Sequence, residues 1–333
     1  MRMQWEQIKN SIFVTNSIQM KKVLSLLVFA MFLNGCDDGD LIQEDIDFED
    51  VTAQKCNTNS IIYKLKDSEA LILEATGITF PKQTSSQEIT ISGSNRVIYR
   101  FYNGAVSTST ICETIPPATP IVTDQWTATG GKIVINTTAV KTTDQTDNST
   151  KITGYNHNIT FKNITFDKGN GTQVYETFAF GDYIISATPL PLAFNKTLEQ
   201  CSSSKQLYDY NSSEALILDV DPSLIANEAT PLNTPRTGLI SETKNKLTYR
   251  LFSGLVTADY FCNTTYPATP VVTEEWIGVT GVANTSGIIE VTTTSFGNGF
   301  KHTVVLKKVK MKKGNSDFIL GDNYIYGELL TTN

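Results

Sequence analysis

Residues 117–126 read PATPIVTDQW, and residues 267–276 read PATPVVTEEW, at an offset of 150. Shorter pairs occur in the same order along the chain: SEALIL at 68–73 and 213–218, YRFYNG at 99–104 and YRLFSG at 249–254, KGN at 168–170 and 313–315, and GD at 181–182 and 321–322. Because the order is kept while the offset drifts by only a few residues, we infer that one unit is duplicated and that insertions lie in loops.

The duplication sets the domain boundaries. We predict two homologous domains, at residues 52–188 and 197–333, each about 140 residues long. Residues 189–196 lie between them and begin with Pro-Leu-Pro-Leu. A proline-rich segment of this length is typical of a short, stiff linker.

Apolar residues in each copy recur with the period of two that is typical of β-strands. Residues 96–106 alternate in this way. The alternation changes phase between Phe161 and Ile164, and again within residues 304–311, which predicts a β-bulge in both copies. No long stretch with a helical period follows residue 36. We therefore predict an all-β protein made of two tandem homologous β-sandwich or open-barrel domains.

The chain has five cysteines, and four of them fall two per copy. Four cysteines allow three pairings, and only pairing within each copy respects the duplication. We therefore predict the disulfides Cys56–Cys112 and Cys201–Cys262, each worth about 4 kcal/mol in the chain-entropy model. The alternative is that all four are buried free thiols.

A secretory signal precedes the repeats. Lys21 and Lys22 are followed by eleven residues, 23–33, that are apolar except for Ser25. A basic start and an apolar run of this length are typical of a signal peptide. The run is too short for a membrane-spanning helix, which needs about 20 apolar residues.

The signal ends in Leu33-Asn34-Gly35-Cys36, which resembles the lipobox of bacterial lipoproteins. The resemblance implies cleavage before Cys36 and a diacylglyceryl group on its thiol. The alternative is a plain secretory signal with a chance cysteine. We expect residues 20–35 to be the signal peptide, Met20 to be the true start, and residues 1–19 to be a misassigned extension.

Residues 36–51 form an acidic stretch with eight Asp and Glu and no Lys or Arg. Such a segment is typical of a solvated tether that holds a folded body away from a membrane. Acids directly after the cysteine resemble those of Bacteroidota surface lipoproteins. We therefore expect a protein anchored by lipid at the cell envelope, at the outer membrane, on either its surface or its periplasmic face.

Net charge argues against one class of partner. The chain carries −7 overall, and an acidic protein is a poor candidate for binding a nucleic-acid backbone. The one basic cluster comprises Lys301, Lys307, Lys308, Lys310, Lys312 and Lys313. We interpret it as a solvated strand face, with a patch for an anionic ligand or lipid headgroup as the alternative.

Few residues suggest catalysis. The two histidines, His157 and His302, occupy equivalent positions, and we predict a structural role for both. One histidine per domain is too few for the usual zinc sites, and no nucleophile elbow or phosphate-binding loop is present. We predict no catalytic residue, no metal site and no cofactor.

Two duplicated features remain as candidates. Trp126 and Trp276 are predicted either to pack in the core or to act as platforms on which a sugar ring stacks. The pairs Glu69 with Arg100 and Glu214 with Arg250 are predicted to form cross-strand ion pairs.

The leading functional hypothesis is a non-catalytic, lipid-anchored protein that binds or scaffolds a glycan or an envelope protein through two copies of one module. Duplication favours binding, because two linked weak sites gain avidity. The alternatives are a carbohydrate-active enzyme that uses a carboxylate pair, and a structural spacer without a ligand.

The lipid anchor is directly testable. Changing Cys36 to Ala removes the only thiol available for lipid attachment, so the variant should move from the membrane to the soluble fraction. Cell fractionation with immunoblotting measures this, and continued membrane association of the variant would argue against lipidation.

Overall fold

Residues 46–332 are described by a computed structural model of the chain. The predicted extension, the signal peptide, Cys36 and the tether up to residue 45 lie outside the described residues. From Phe48 onward the chain forms one compact unit. Within it we name the first half (residues 48–188), the connector (residues 189–196) and the second half (residues 197–332). No helix among the described residues is long and apolar enough to cross a membrane.

The first half contains eight antiparallel strands and one short helix, which are β1 (Gln54–Lys55), β2 (Ile61–Lys66), β3 (Glu69–Ala75), β4 (Ser85–Thr90), β5 (Asn95–Tyr102), α1 (Thr108–Cys112), β6 (Val122–Thr143), β7 (Thr150–Asp167) and β8 (Thr172–Ser186). They form a single sheet with the order β1-β2-β3-β5-β6-β7-β8, and β4 pairs with β6.

The second half contains eleven strands in two sheets, which are β9 (Glu199–Gln200), β10 (Leu207–Tyr210), β11 (Glu214–Asp219), β12 (Arg236–Leu239), β13 (Lys246–Phe252), β14 (Val272–Gly278), β15 (Ile288–Phe296), β16 (Gly299–Lys307), β17 (Lys310–Lys313), β18 (Ser316–Ile319) and β19 (Tyr324–Thr332). Their orders are β18-β17-β14-β13-β11-β10-β9 and β12-β15-β16-β19. Two 3-10 turns, Pro222–Ile225 and Ala258–Tyr260, lie outside the sheets. The all-β prediction is confirmed.

Strand pairing follows the same path in both halves, but the long strands of the first half are divided in the second. β6 spans 22 residues without a break, whereas residues 279–287 separate β14 from β15. Within β6, Gly131 has a φ of +118°, and a Cβ at this position would lie 2.8 Å from the Cα of Ile164. Only glycine allows this close approach of β6 to the neighbouring β7.

The predicted β-bulge is present in the first half. Lys132 pairs with Lys162 and Gly130 with Thr165, so β7 has one more residue than β6 at this point. Asn163, within the bulge, has a φ of +48°. In the second half Lys308 has the same φ but lies in the gap between β16 and β17. The phase change therefore marks a bulge in one half and a strand break in the other.

The core of the second half lies between its two sheets. Leu216 and Tyr249 on one sheet and Val304 and Tyr326 on the other belong to the same apolar cluster, as in a β-sandwich. The buried hydroxyl of Tyr326 donates to the carbonyl of Leu216 at 2.8 Å, across the two sheets.

A second, smaller apolar cluster covers the opposite face of β3 and of β11. Strands buried on both faces explain why SEALIL reads as a continuous apolar run rather than an alternating one. The disulfides Cys56–Cys112 and Cys201–Cys262 belong to these clusters. The structure thus contains both predicted pairs, and each ties a covering segment to its sheet.

The two halves meet where β18 lies against β6 and β7. The ammonium of Lys141 forms a salt bridge with Asp317 at 2.6 Å. The backbone N–H of Ile319 donates to the hydroxyl of Thr150 at 2.8 Å, and that of Thr84 donates to the hydroxyl of Ser316 at 2.8 Å.

Candidate functional site

Both tryptophans are core residues. Trp126 is 2% exposed and Trp276 is 3% exposed. Each indole N–H donates at 3.0 Å to the acid two residues earlier, Asp124 or Glu274. The prediction that these side chains offer an open platform for a sugar therefore does not fit the structure, because stacking needs an accessible ring face. Trp276 does, however, line a cavity, which is described below.

The two histidines are fully buried. The Nδ1 atom of His157 lies 2.8 Å from the hydroxyl of Thr137, and the Nδ1 atom of His302 lies 2.9 Å from that of Thr293. Burial lowers the pKa of both imidazoles, which favours the neutral ring. These positions are consistent with a role in packing.

The predicted Glu–Arg ion pairs do not form. Glu69 lies opposite Phe101, and Ala70 lies opposite Arg100, so the carboxylate and the guanidinium point to different faces of the sheet. The carboxylate of Glu69 accepts instead from the hydroxyl of Tyr99 at 2.5 Å. The guanidinium of Arg250 pairs with Glu275 at 2.7 Å.

The basic cluster is largely neutralised. Four of its six lysines form salt bridges with glutamates at 2.9–3.1 Å, namely Lys301 with Glu328, Lys307 with Glu290, Lys312 with Glu242 and Lys313 with Glu274. This arrangement fits the predicted solvated strand face better than a patch for an anionic surface.

A buried carboxylate fixes the connector. Glu214 is 0% exposed, and its two carboxylate oxygens accept four hydrogen bonds. Two come from the backbone N–H groups of Leu192 and Ala193, at 3.0 and 2.7 Å. The others come from the amide of Asn211 and the hydroxyl of Tyr249, both at 2.7 Å. Burial raises the pKa of Tyr249, so its hydroxyl keeps the proton it donates.

The segments that enter the two halves are held by buried charges of opposite sign. Lys64 is 3% exposed and donates to the carbonyl of Phe48 at 2.9 Å. Its counterpart in the repeat, Asp209, is 2% exposed and accepts from the N–H of Lys196 at 2.7 Å. The repeat predicts that positions 64 and 209 correspond. Only the structure reveals that the first contacts a backbone carbonyl and the second a backbone N–H.

The first part of the most strongly repeated sequence lies on the surface. Residues 117–119 and 267–269 are exposed in both halves, and so are Ile121 at 54% and Val271 at 56%. Each loop is fixed in the same way, because the N–H of Asn103 donates to Ile121 and the N–H of Ser253 donates to Val271. We name residues 117–123 and 267–273 the paired loops. The similarity of the two loops is visible in the sequence, whereas their exposure is seen only in the structure.

A cavity of about 310 Å³ lies between the halves, and we name it the interlobe pocket. Its walls come from the start of β7, from the connector and from β14 and β18, and they include Lys82, Lys151, Tyr155, Leu190, Trp276 and Phe318. No local sequence pattern predicted this site, because its residues are far apart in the chain and meet only when the halves pack together.

Within residues 46–332, no group of three or more His, Cys, Asp or Glu side chains is placed to hold a metal ion. Comparison of the chain with protein-family models, curated proteins and solved structures gives no match.

Asp209 should make stability depend on pH. Burial raises its pKa from 3.8 to about 6, although the N–H of Lys196 opposes the shift. The unfolded chain therefore loses this proton at a lower pH than the folded chain does. The contribution of Asp209 to stability is complete below pH 4 and falls by about 3 kcal/mol as the pH rises through 6.

Urea unfolding of the wild type and of Asp209→Asn between pH 4 and 7 measures this contribution. We expect the free energy of unfolding of the wild type to fall relative to that of the variant as the pH rises. A difference between the two that does not change with pH would contradict the prediction.

Proposed function

We propose that this protein is a non-catalytic binding protein, lipid-anchored at the bacterial cell envelope through Cys36, that holds a protein partner by its paired loops. The observation that carries the proposal is that residues 117–119 with Ile121, and residues 267–269 with Val271, are exposed in both halves although they belong to the longest repeated sequence. Core residues are retained in a duplication because packing constrains them. Exposed residues have no such constraint, so their repetition favours a shared contact role.

The location rests on three features. The signal and the lipobox-like Cys36 support export and lipidation. The acidic stretch after Cys36 supports a tether. The disulfides Cys56–Cys112 and Cys201–Cys262 support an oxidising compartment, since disulfides persist outside the cytosol.

A protein partner suits the paired loops better than a glycan does. Sugar recognition relies on exposed aromatic faces together with polar side chains, and the tryptophans next to these loops are buried. The loops present proline, alanine, threonine and an exposed Ile121 or Val271. Exposed aliphatic groups of this kind are typical of protein contact surfaces. Two copies on one compact unit raise the effective concentration of the second contact once the first has formed.

Photo-crosslinking in the producing bacterium tests the proposal. p-Benzoylphenylalanine placed at Ile121 or at Val271 should give an adduct of the same mass from both positions. Ile184 and Phe296 are matched controls, because they are apolar and similarly exposed, at 59% and 55%, but lie outside the paired loops. These control positions should give no such adduct.

The avidity argument adds a second readout. Changing Val271 to Asp in the chain that carries the photo-reactive residue at Ile121 should lower the adduct yield several-fold, because the second contact is lost. Different adducts from the two loops, no adduct from either, or the same adduct from the control positions would overturn the proposal.

A further inference from the structure

The interlobe pocket has the size and the walls of a small-molecule site. Its volume of about 310 Å³ lies at the lower end of the range of known ligand pockets, about 300–1,000 Å³. Three aromatic side chains line it: Tyr155, Trp276 and Phe318 are 4%, 3% and 3% exposed. The rings of Trp276 and Phe318 pack edge to face, with centroids 5.1 Å apart.

Aliphatic groups complete the walls. Leu190 and Leu192 of the connector line the pocket, together with Ile152 and Leu251. All four pack against the apolar core of the second half while remaining only partly buried. Their exposed surface faces a space that an apolar ligand would fill, and burying that surface favours binding.

The one carboxylate in the pocket wall is already satisfied. Glu274 accepts from the indole N–H of Trp276 at 3.0 Å and from the ammonium of Lys313 at 2.9 Å. Its negative charge is therefore balanced by a cation 2.9 Å away, and it does not set the charge of the pocket.

Two cations of the pocket wall remain without a counterion in the described part of the chain. Lys82 and Lys151 both line the pocket, both are exposed, and neither forms a salt bridge there. Asp147 attracts Lys151 only weakly, because this attraction is the smallest of the causes that lower the pKa of Asp147, and the two side chains form no salt bridge. Two unpaired ammonium groups beside an apolar cavity favour a ligand that carries a negative charge.

We propose that the interlobe pocket binds a small amphipathic carboxylate, with its apolar body against the partly exposed Leu190, Leu192 and Leu251 and its carboxylate at Lys82 and Lys151. This site uses residues of both halves and of the connector, and it is independent of the protein partner assigned to the paired loops.

Isothermal titration calorimetry tests the ligand class. The full lipidated chain in nanodiscs is titrated with 4-phenylbutyrate, indole-3-acetate and octanoate, and empty nanodiscs serve as the blank. 4-Phenylbutan-1-ol is the neutral analogue of the first probe. We expect saturable binding of at least one acid, and we expect 4-phenylbutyrate to bind about fivefold or more tightly than the alcohol, since two exposed ion contacts are worth this much.

Two pairs of variants locate the site. Changing both Lys82 and Lys151 to Met should remove the preference for the acid over the alcohol. Changing Ala187, which lines the pocket, to Trp should fill it and abolish binding of both. The matched control is Ala179→Trp, at an exposed position within β8 and outside the pocket wall, and it should bind like the wild type.

Thermal unfolding of each variant shows whether it is folded. If Ala187→Trp does not fold, the double variant with Met at positions 82 and 151 still tests the proposal. The proposal is overturned if none of the three acids binds saturably, if acid and alcohol bind equally well to the wild type, or if the folded Ala187→Trp variant still binds.

Discussion

The carboxylate of Glu214 is the contact on which the arrangement of the two halves depends. A fully buried carboxylate is costly unless its oxygens are hydrogen-bonded, and here four donors meet them. Two of these donors are backbone N–H groups of the connector, which would otherwise lack partners where it crosses the second half. The same contact that satisfies the charge therefore fixes the connector against the sheet.

The position of the connector explains the interlobe pocket. With Leu192 and Ala193 bound to Glu214, residues 189–192 form one wall of the cavity, and β7, β14 and β18 contribute the others. The first half has no equivalent, because Glu69 accepts from Tyr99 and the segment at Phe48 is held through Lys64 instead. The repeated sequence therefore gives two equivalent surface loops but an interlobe pocket without a symmetric counterpart in its walls. The loops suit a protein partner, and the pocket suits a small molecule.

Features that depend on neighbouring residues or on the repeat could be predicted from sequence. Strand alternation, the change of phase before Ile164 and the two disulfides follow from local spacing or from the duplication itself. The predicted Glu69–Arg100 ion pair was wrong. In the observed register Arg100 lies opposite Ala70, so Glu69 and Arg100 point to opposite faces of the sheet. The register of two paired strands cannot be read from the sequence. The interlobe pocket joins residues as distant as Lys82 and Phe318, so no sequence window contains it.

Differential scanning calorimetry tests most directly whether the Glu214 contact unites the halves. The account predicts one transition for the wild type, with equal calorimetric and van't Hoff enthalpies. In Glu214→Gln, the amide N–H₂ faces the backbone N–H of Leu192 or of Ala193, neither of which can accept a hydrogen bond, so the change should cost about 2 kcal/mol and separate the transition into two. Glu69→Gln, the matched change in the first half, should keep a single transition. Two transitions in the wild type, or an unchanged single transition in Glu214→Gln, would contradict the account.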